Sequence, residues 1–340
     1  MASEAPPFWW QPTDWRAISL YPVSMIVGAI AARRMRNAPR VPVSAPVLCV
    51  GNFTVGGTGK TPTVIALAKA ALAAGHRPGI LSRGHGGAFQ QPHLVDAGHD
   101  SARHVGDEPL LLAAHAPVAV TPNRLSGARL LIAQGCDFLI MDDGFQSARI
   151  AIDHALAIID ARHGLGNGHV IPGGPLRAPL DEQMRHVDSL LCMGKGNSAV
   201  DVVRIAARAG KPVLQARTVP VGYSALAGER FVAFAGIGHP QRFFDSAAET
   251  GAILVESRSF GDHHFYQPDE LADLASTAGK NGCGLLTTSK DAARLRHGIL
   301  PDEFAERLTV LEVETVFDDP ATPNRLIAAT LGAWERRKMG

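Results

Sequence analysis

Short β-rich runs alternating with helical segments, a Gly-rich loop between the first such strand and helix, and an apolar strand ending in paired aspartates predict an α/β fold. The class is the P-loop NTPase type, a mainly parallel sheet, followed by a second, smaller α/β domain. At 340 residues the chain is long enough for two domains. The first strand, 47–50, is apolar at every position, as a strand buried on both faces is. A helix over 62–74 follows the loop, and strands at 79–81, 118–120, 138–141, 155–159 and 190–192 alternate with helices at 109–115 and 125–134. That order gives parallel strands with helices on both faces and puts ligands at the carboxyl ends of the strands.

A second pattern starts after residue 228. Strands are expected at 231–235, 285–288 and 308–313, and helices at 240–250, 268–277 and 323–336. The divisions are an N-terminal segment 1–40, a first domain 41–215 and a smaller domain 216–340, whose last helix can pack back on the first. The junction falls within 215–228, where strand-formers mix with prolines.

The chain carries 33 basic and 32 acidic residues, so its net charge of +1 offers no global field for nucleic acid, and none is expected as a partner. Cys49, Cys136, Cys192 and Cys283 stand far apart and mostly beside apolar runs, which reads as buried free thiols. The N-terminus is unusual. Phe8-Trp9-Trp10 and Trp15 precede a largely apolar stretch over 17–32, which closes on Arg33, Arg34, Arg36 and Arg40. A spanning helix needs about 20 apolar residues, and Ser19, Pro22 and Ser24 interrupt this shorter run. A secretory signal would place its positive charges first. Aromatic residues at one end and arginines at the other suit a helix lying in a membrane interface.

Four sites carry chemistry. Gly-rich backbone in Thr54-Val55-Gly56-Gly57-Thr58-Gly59-Lys60-Thr61 can turn N–H groups toward phosphate oxygens at a helix start. Lys60 would reach the β/γ-phosphates of ATP and Thr61 would ligate Mg2+. The loop departs from the strict pattern, because Thr54 stands where a Gly usually opens it. Asp142-Asp143-Gly144-Phe145-Gln146 ends an apolar strand where P-loop enzymes hold Mg2+ through a carboxylate. Two adjacent aspartates on an extended strand point apart, so one is expected on metal and the other on a neighbouring group. Asp107, in Gly106-Asp107-Glu108-Pro109, opens a helix; it reads as a cap or as the base that a hydroxyl kinase needs. Adjacent His263 and His264 have no metal-ligand spacing and read as a hydrogen-bonded loop unless the second domain closes over the first. The basic stretch from Ser82-Arg83-Gly84 to His85-Gly86-Gly87, with Arg124 and Arg177, could hold phosphate groups.

Taken in chain order, these pieces resemble the tetraacyldisaccharide 4'-kinase family, the lipid A 4'-kinases of Gram-negative bacteria. The resemblance runs from about residue 15 to 295 and includes Gly166-Asn167-Gly168, Pro175-Leu176-Arg177, Phe260-Gly261-Asp262-His263-His264 and Lys290-Asp291. It accounts for Thr54, since that family's loop is similar to Ser/Thr-Val-Gly-Gly-x-Gly-Lys. It implies transfer of the ATP γ-phosphoryl group to the 4'-hydroxyl of a lipid A disaccharide 1-phosphate. The place it implies is the cytoplasmic face of the bacterial inner membrane, with the protein held peripherally on the lipid surface. By motif match it implies Asp107 as catalytic base with His263 as its partner. It places Glu108, Asp142, Asp143 and Gln146 around metal and acceptor, and Arg124 and Arg177 on phosphate charge. Ser147, Ala178 and Ser289 depart from the family pattern, and no role is carried to them. Two other classes are weighed against this. A switch GTPase would need an Asp-x-x-Gly and an Asn-Lys-x-Asp that the chain lacks, and a deviant-loop ATPase would need Lys where Val55 stands. A lipid-binding scaffold with a vestigial site would not need Lys60, Thr61 and the acidic pair intact.

Overall fold

The computed structural model describes residues 5–84, 91–146, 149–296, 298 and 300–339. His85, Gly86 and Gly87 of the basic stretch, and Ser147, lie outside these. Strands Val47–Asn52 (β1), Pro78–Ser82 (β2), His93–Leu94 (β3), Val118–Val120 (β4), Phe138–Asp142 (β5), His154–Asp160 (β6), Ser189–Met193 (β7) and Val213–Pro220 (β8) follow one another along the chain. They are followed by Arg230–Ala235 (β9), Ile253–Ser259 (β10), Gly284–Thr288 (β11), Leu308–Leu311 (β12) and Val313–Phe317 (β13). Among the described residues the larger sheet has nine strands in the order β13-β8-β7-β6-β1-β5-β2-β4-β3, and the smaller has four, β10-β9-β11-β12. Pairing in the larger sheet is parallel except at its two edges, where β3 and β13 run antiparallel to β4 and β8. Every residue of β1, β5 and β6 is buried, which is why these strands read as continuous apolar runs.

The central position of β1 fixes the rest. It pairs with β5 on one side and β6 on the other, with Val50 opposite both Asp142 and Leu156. The loop after β1 and the acidic end of β5 are therefore side by side at the carboxyl edge of the sheet, where α/β sheets bind ligands. Gly59 makes the turn from loop to the helix Lys60–Ala73, with a φ of 84° that a side chain would resist.

The large sheet takes strands from both sides of residue 215. β8 continues through 216 to Pro220 because β7 pairs one edge of it and β13 the other. The chain then leaves to build the four-stranded sheet and returns as β13 and the helix Thr322–Met339. That helix packs on Lys60–Ala73, β1 and β6. Near its end Arg337 donates from Nε and NH2 to the two carboxylate oxygens of Asp153 at 2.8 and 3.0 Å, and Asp153 also accepts the N–H of Val47 at 2.8 Å. The last helix is thus clasped to the first residue of β1. The smaller sheet packs its helix Ser289–Leu295 against Asp107–Ala113 of the larger unit.

The N-terminal segment forms a helix over Trp15–Asn37. Asp14 caps it by accepting from the N–H groups of Arg16 and Ala17, and Arg34 and Arg36 lie in its last turn, where cations suit the dipole. Ala17, Ser24, Gly28, Ala32 and Met35 form its buried stripe. Ser24 accepts the Gly173 N–H at 3.0 Å and Gly28 lies against Pro179. The remaining faces carry exposed Trp15, Ile18, Tyr21, Met25, Ile26 and Ile30. The helix is long and apolar enough to cross a membrane by length and composition alone.

The Gly166-Asn167-Gly168 motif buckles the N-terminus to the body. Asn167 donates its N–H to the Trp9 carbonyl at 2.8 Å and its side-chain amide to the Gly173 carbonyl at 2.9 Å. A Cβ at Gly166 would stand 2.3 Å from the Trp9 carbonyl oxygen, so only Gly permits this approach. All four cysteines are buried and unpaired.

Replacing Arg337 with Ala leaves the 1% exposed Asp153 side chain without its cation. Arg337→Ala is expected to lower unfolding free energy by about 3 kcal/mol, the scale for stripping one partner from a buried pair. A urea melt with an unchanged midpoint would contradict the clasp.

Candidate active site

The phosphate loop is braced from one side by Pro175-Leu176-Arg177. The Val55 N–H donates to the Pro175 carbonyl at 2.8 Å, and Arg177 Nε donates to the Thr54 carbonyl at 3.1 Å. The same guanidinium pairs through NH1 with Asp143 at 2.7 Å, and Lys60 Nζ lies 3.8 Å from the other oxygen of Asp143. Asp143 sits at φ 51°, a left-handed turn that a non-Gly residue enters only when its surroundings enforce it. Burial alone would raise its carboxyl, but Lys60 and Arg177 outweigh that and bring it down to about 2.

Asp142 points elsewhere. It is 2% exposed, and its Oδ1 is buried with no hydrogen-bond partner among the described residues. Burial, with Glu108 and Asp143 adding their charges, pushes this carboxyl up to about 7. A buried carboxylate oxygen left unpaired among like charges is a place that a cation relieves. The Thr58 hydroxyl oxygen in the loop is likewise buried and, among the described residues, without a partner, and Thr61 stands in the first turn of the helix behind it. Among the described residues no cluster of three or more His, Cys, Asp or Glu is arranged to hold an ion unaided. That donor set fits Mg2+, which takes one or two carboxylates and completes its shell with water and phosphate oxygens.

Arg124 is 4% exposed and donates from Nη2 to the Asp142 carbonyl at 3.1 Å and the Asp143 carbonyl at 3.5 Å, while its Nη1 is buried without a partner among the described residues. Gln146 is turned toward the loop's base, where its amide nitrogen donates to the Asn52 carbonyl at 2.7 Å and to Gln183 at 2.9 Å.

Asp107 begins the helix Asp107–Ala113. One of its oxygens accepts the Glu108 N–H at 2.9 Å; the other lies 3.1 Å from His263 Nδ1, which reaches it from the smaller unit. Burial would raise this carboxyl, but the His263 hydrogen bond and the charges of Lys290 and Arg294 hold it well below the usual carboxylate range. The imidazole is raised in turn, first by its bond to Asp107. His263 also has a left-handed φ, 56°. His264 points away to Glu270 at 2.8 Å. Beside the dyad, Lys290 Nζ meets Glu108 at 2.5 Å, and its charge is the main reason that the Glu108 carboxyl lies low.

Most of the residues singled out from the sequence therefore converge on the carboxyl ends of β1 and β5: Thr54 to Thr61, Glu108, Arg124, Asp142, Asp143, Gln146 and Arg177. Asp107 and His263, 156 residues apart in sequence, meet beside them. In the sequence Lys290 stands out only as part of a motif, and Arg294 carries no signal at all. A second group at the loop's far side also went unread. There Arg242 pairs with Asp160 and donates to the Gly57 carbonyl at 3.4 Å, and the rings of His163 and His239 stack at 5.0 Å. Asp160, an acid at the end of β6, was the one visible signal for it.

The tetraacyldisaccharide-1-P 4'-kinase family model matches residues 16–331. A tetraacyldisaccharide 4'-kinase of Mesorhizobium japonicum is 62% identical over 340 residues, covering 100% of this chain and 99% of its own. The tetraacyldisaccharide 4'-kinase of Brucella ovis is 52% identical, with 100% of both chains covered. The fold is similar to that of the "apo" form of LpxK from Aquifex aeolicus in complex with ATP, with a TM-score of 0.73, 26% identity, and coverage of 92% of this chain and 99% of that one. The chain belongs to the tetraacyldisaccharide-1-P 4'-kinase family.

Proposed function

We propose that the chain is a lipid kinase that moves the γ-phosphoryl group of ATP to the 4'-hydroxyl of a lipid A disaccharide 1-phosphate, a step of lipid A biosynthesis. The observation that carries this reading is the Asp107–His263 pair, set beside a phosphate loop and an unpaired buried oxygen of Asp142. Phosphoryl transfer passes through a loose transition state, so the protein's work is positioning and charge neutralisation. The loop's backbone and Lys60 hold the β- and γ-phosphates. Asp142 would hold Mg2+, with Thr61, Glu108, Asp143 and Gln146 completing the surroundings. When bound, Mg2+ would supply positive charge to offset that of the phosphates. Arg124 offers its free Nη1, and Arg177 can turn from Asp143 toward phosphate. Asp107 orients the acceptor hydroxyl and takes its proton, and His263 holds that carboxylate in place and in its ionised form.

The exposed apolar faces of Trp15–Asn37, with the Arg-bearing last turn, support seating at the cytoplasmic face of the inner membrane. One stripe of the helix is committed to the protein body, which leaves the other faces for acyl chains and headgroups.

Purified protein with labelled ATP, Mg2+ and detergent-dispersed lipid A disaccharide 1-phosphate is expected to yield labelled lipid; none would sink the reading. Asp107→Ala should cut kcat by at least about 100-fold, the usual scale for losing a general base, and near-normal turnover would remove Asp107 from that role. Loss of His263 removes the interaction that lowers the Asp107 pKa, so the acid limb of kcat should move to higher pH in His263→Ala. A limb at the wild-type position would contradict the pairing. Glu at both Ile18 and Ile26 puts charge on the exposed apolar face and should weaken flotation with anionic vesicles by about tenfold; unchanged flotation would argue against the interface helix.

A further inference from the structure

The helix Ser289–Leu295 presents Lys290 and Arg294 four residues apart, hence on one face, against the adjacent carboxylates Glu108 and Asp107. The two cations are not equivalent. Lys290 keeps a side chain 30% exposed, whereas that of Arg294 is 1% exposed and every direction of its guanidinium is used. NH2 pairs with Asp291 Oδ1 at 2.8 Å and NH1 donates to the Gly236 carbonyl at 2.8 Å, while Nε, which donates to the Lys290 carbonyl of its own helix at 3.3 Å, lies at ion-pair distance, 3.6 Å, from Asp107 Oδ2 across the contact between the two units.

The Gly236 carbonyl also accepts the N–H of His263 at 3.1 Å. Arg294 therefore touches the carboxylate of the pair on one side and, on the other, the peptide that fixes the backbone of the imidazole. Asp291, fully buried, keeps Arg294 in that place. It accepts from the Gly236 N–H at 2.9 Å, the Tyr266 hydroxyl at 2.6 Å and the Thr288 hydroxyl at 2.5 Å. A planar fork satisfies these separate directions together; an ammonium on a flexible stem would not. With Asp291 holding it, the guanidinium presents its charge to Asp107 from one fixed place.

We propose that Arg294, anchored by Asp291 and Tyr266, is a positioning residue that sets the spacing and orientation of Asp107 against His263 for phosphoryl transfer. The proposal rests on the kinase reading and on Asp107 as its base. It makes docking of the smaller unit part of building the catalytic pair: the same buried cluster that folds the loop around His263 also fixes the carboxylate opposite it.

A double-mutant cycle in full-length protein under single turnover separates this role from general stabilisation. Arg294→Met is expected to lower the rate about 100-fold, the scale for misplacing a reacting group by about an ångström, with KM for ATP within about threefold of wild type. Introduced on top of Asp107→Ala it should cost less than about twofold, because the residue through which it acts is already gone. Equal losses in both backgrounds would overturn the proposal, as would a loss seen wholly in KM. Should Arg294→Met fail to fold, Arg294→Lys and Tyr266→Phe pass through the same cycle. Each should lose several-fold only when Asp107 is present, and equal loss in both backgrounds or none in either counts against the proposal. An inactive wild type would instead strike the kinase reading, and an unaffected Asp107→Ala the assignment of the base.

Discussion

Four carboxylates crowded beside a phosphate loop are the constraint on which the site depends. Asp107, Glu108, Asp142 and Asp143 come from two strand-helix segments of one sheet, and their mutual repulsion in a buried setting has to be balanced. The chain answers with cations from four separate places. Lys60 and Arg177 take Asp143, Lys290 takes Glu108, and Arg294 and the raised imidazole of His263 take Asp107. Asp142 alone keeps a buried oxygen without a partner, and its carboxyl is the one pushed upward. The imbalance is local, at the acidic end of β5 beside the phosphate loop.

This arrangement gives the smaller unit a chemical role. Its four-stranded sheet contributes nothing to the phosphate loop's own strand and helix, yet it supplies His263, Lys290 and Arg294 to the carboxylates of the larger sheet. Its attachment is reinforced by the return of the chain. β13 and the helix Thr322–Met339 rejoin the large sheet and close on Asp153 beside β1, so both connections to the smaller unit are anchored on the framework that carries the loop. The N-terminal helix is tied to the same framework through Ser24, Gly173 and the Asn167 buckle. The phosphate loop, the Asp107–His263 pair and the N-terminal helix are thereby referred to one sheet edge.

The sequence disclosed the features that local chemistry imposes. Strands buried on both faces, such as β1 and β5, are apolar without a break, and the loop and the acidic strand end announce themselves by glycines and paired aspartates. Edge and exposed strands were less legible. β10 alternates partly buried and exposed residues along Ile253–Ser259, and its apolar opening Ile253-Leu254-Val255 gives way at once to Glu256, Ser257 and Arg258, so the apolar signal is short. β13 merged with β12 in the sequence because only Glu312 separates them. Arg294 was invisible for a different reason. A lone arginine in a short helix looks like surface until Asp291, Tyr266 and Gly236 fold around it, and those partners lie up to 58 residues away.

The central claim is that Asp107 and His263 form a charged pair across the two units. Nitrogen NMR of ring-labelled histidine in the full-length protein tests it most directly. The account predicts that the His263 ring holds its second proton to a higher pH than an ordinary histidine, and that Asp107→Asn returns it toward the ordinary range. A His263 ring that titrates as a free histidine does, indifferent to Asp107→Asn, would contradict it.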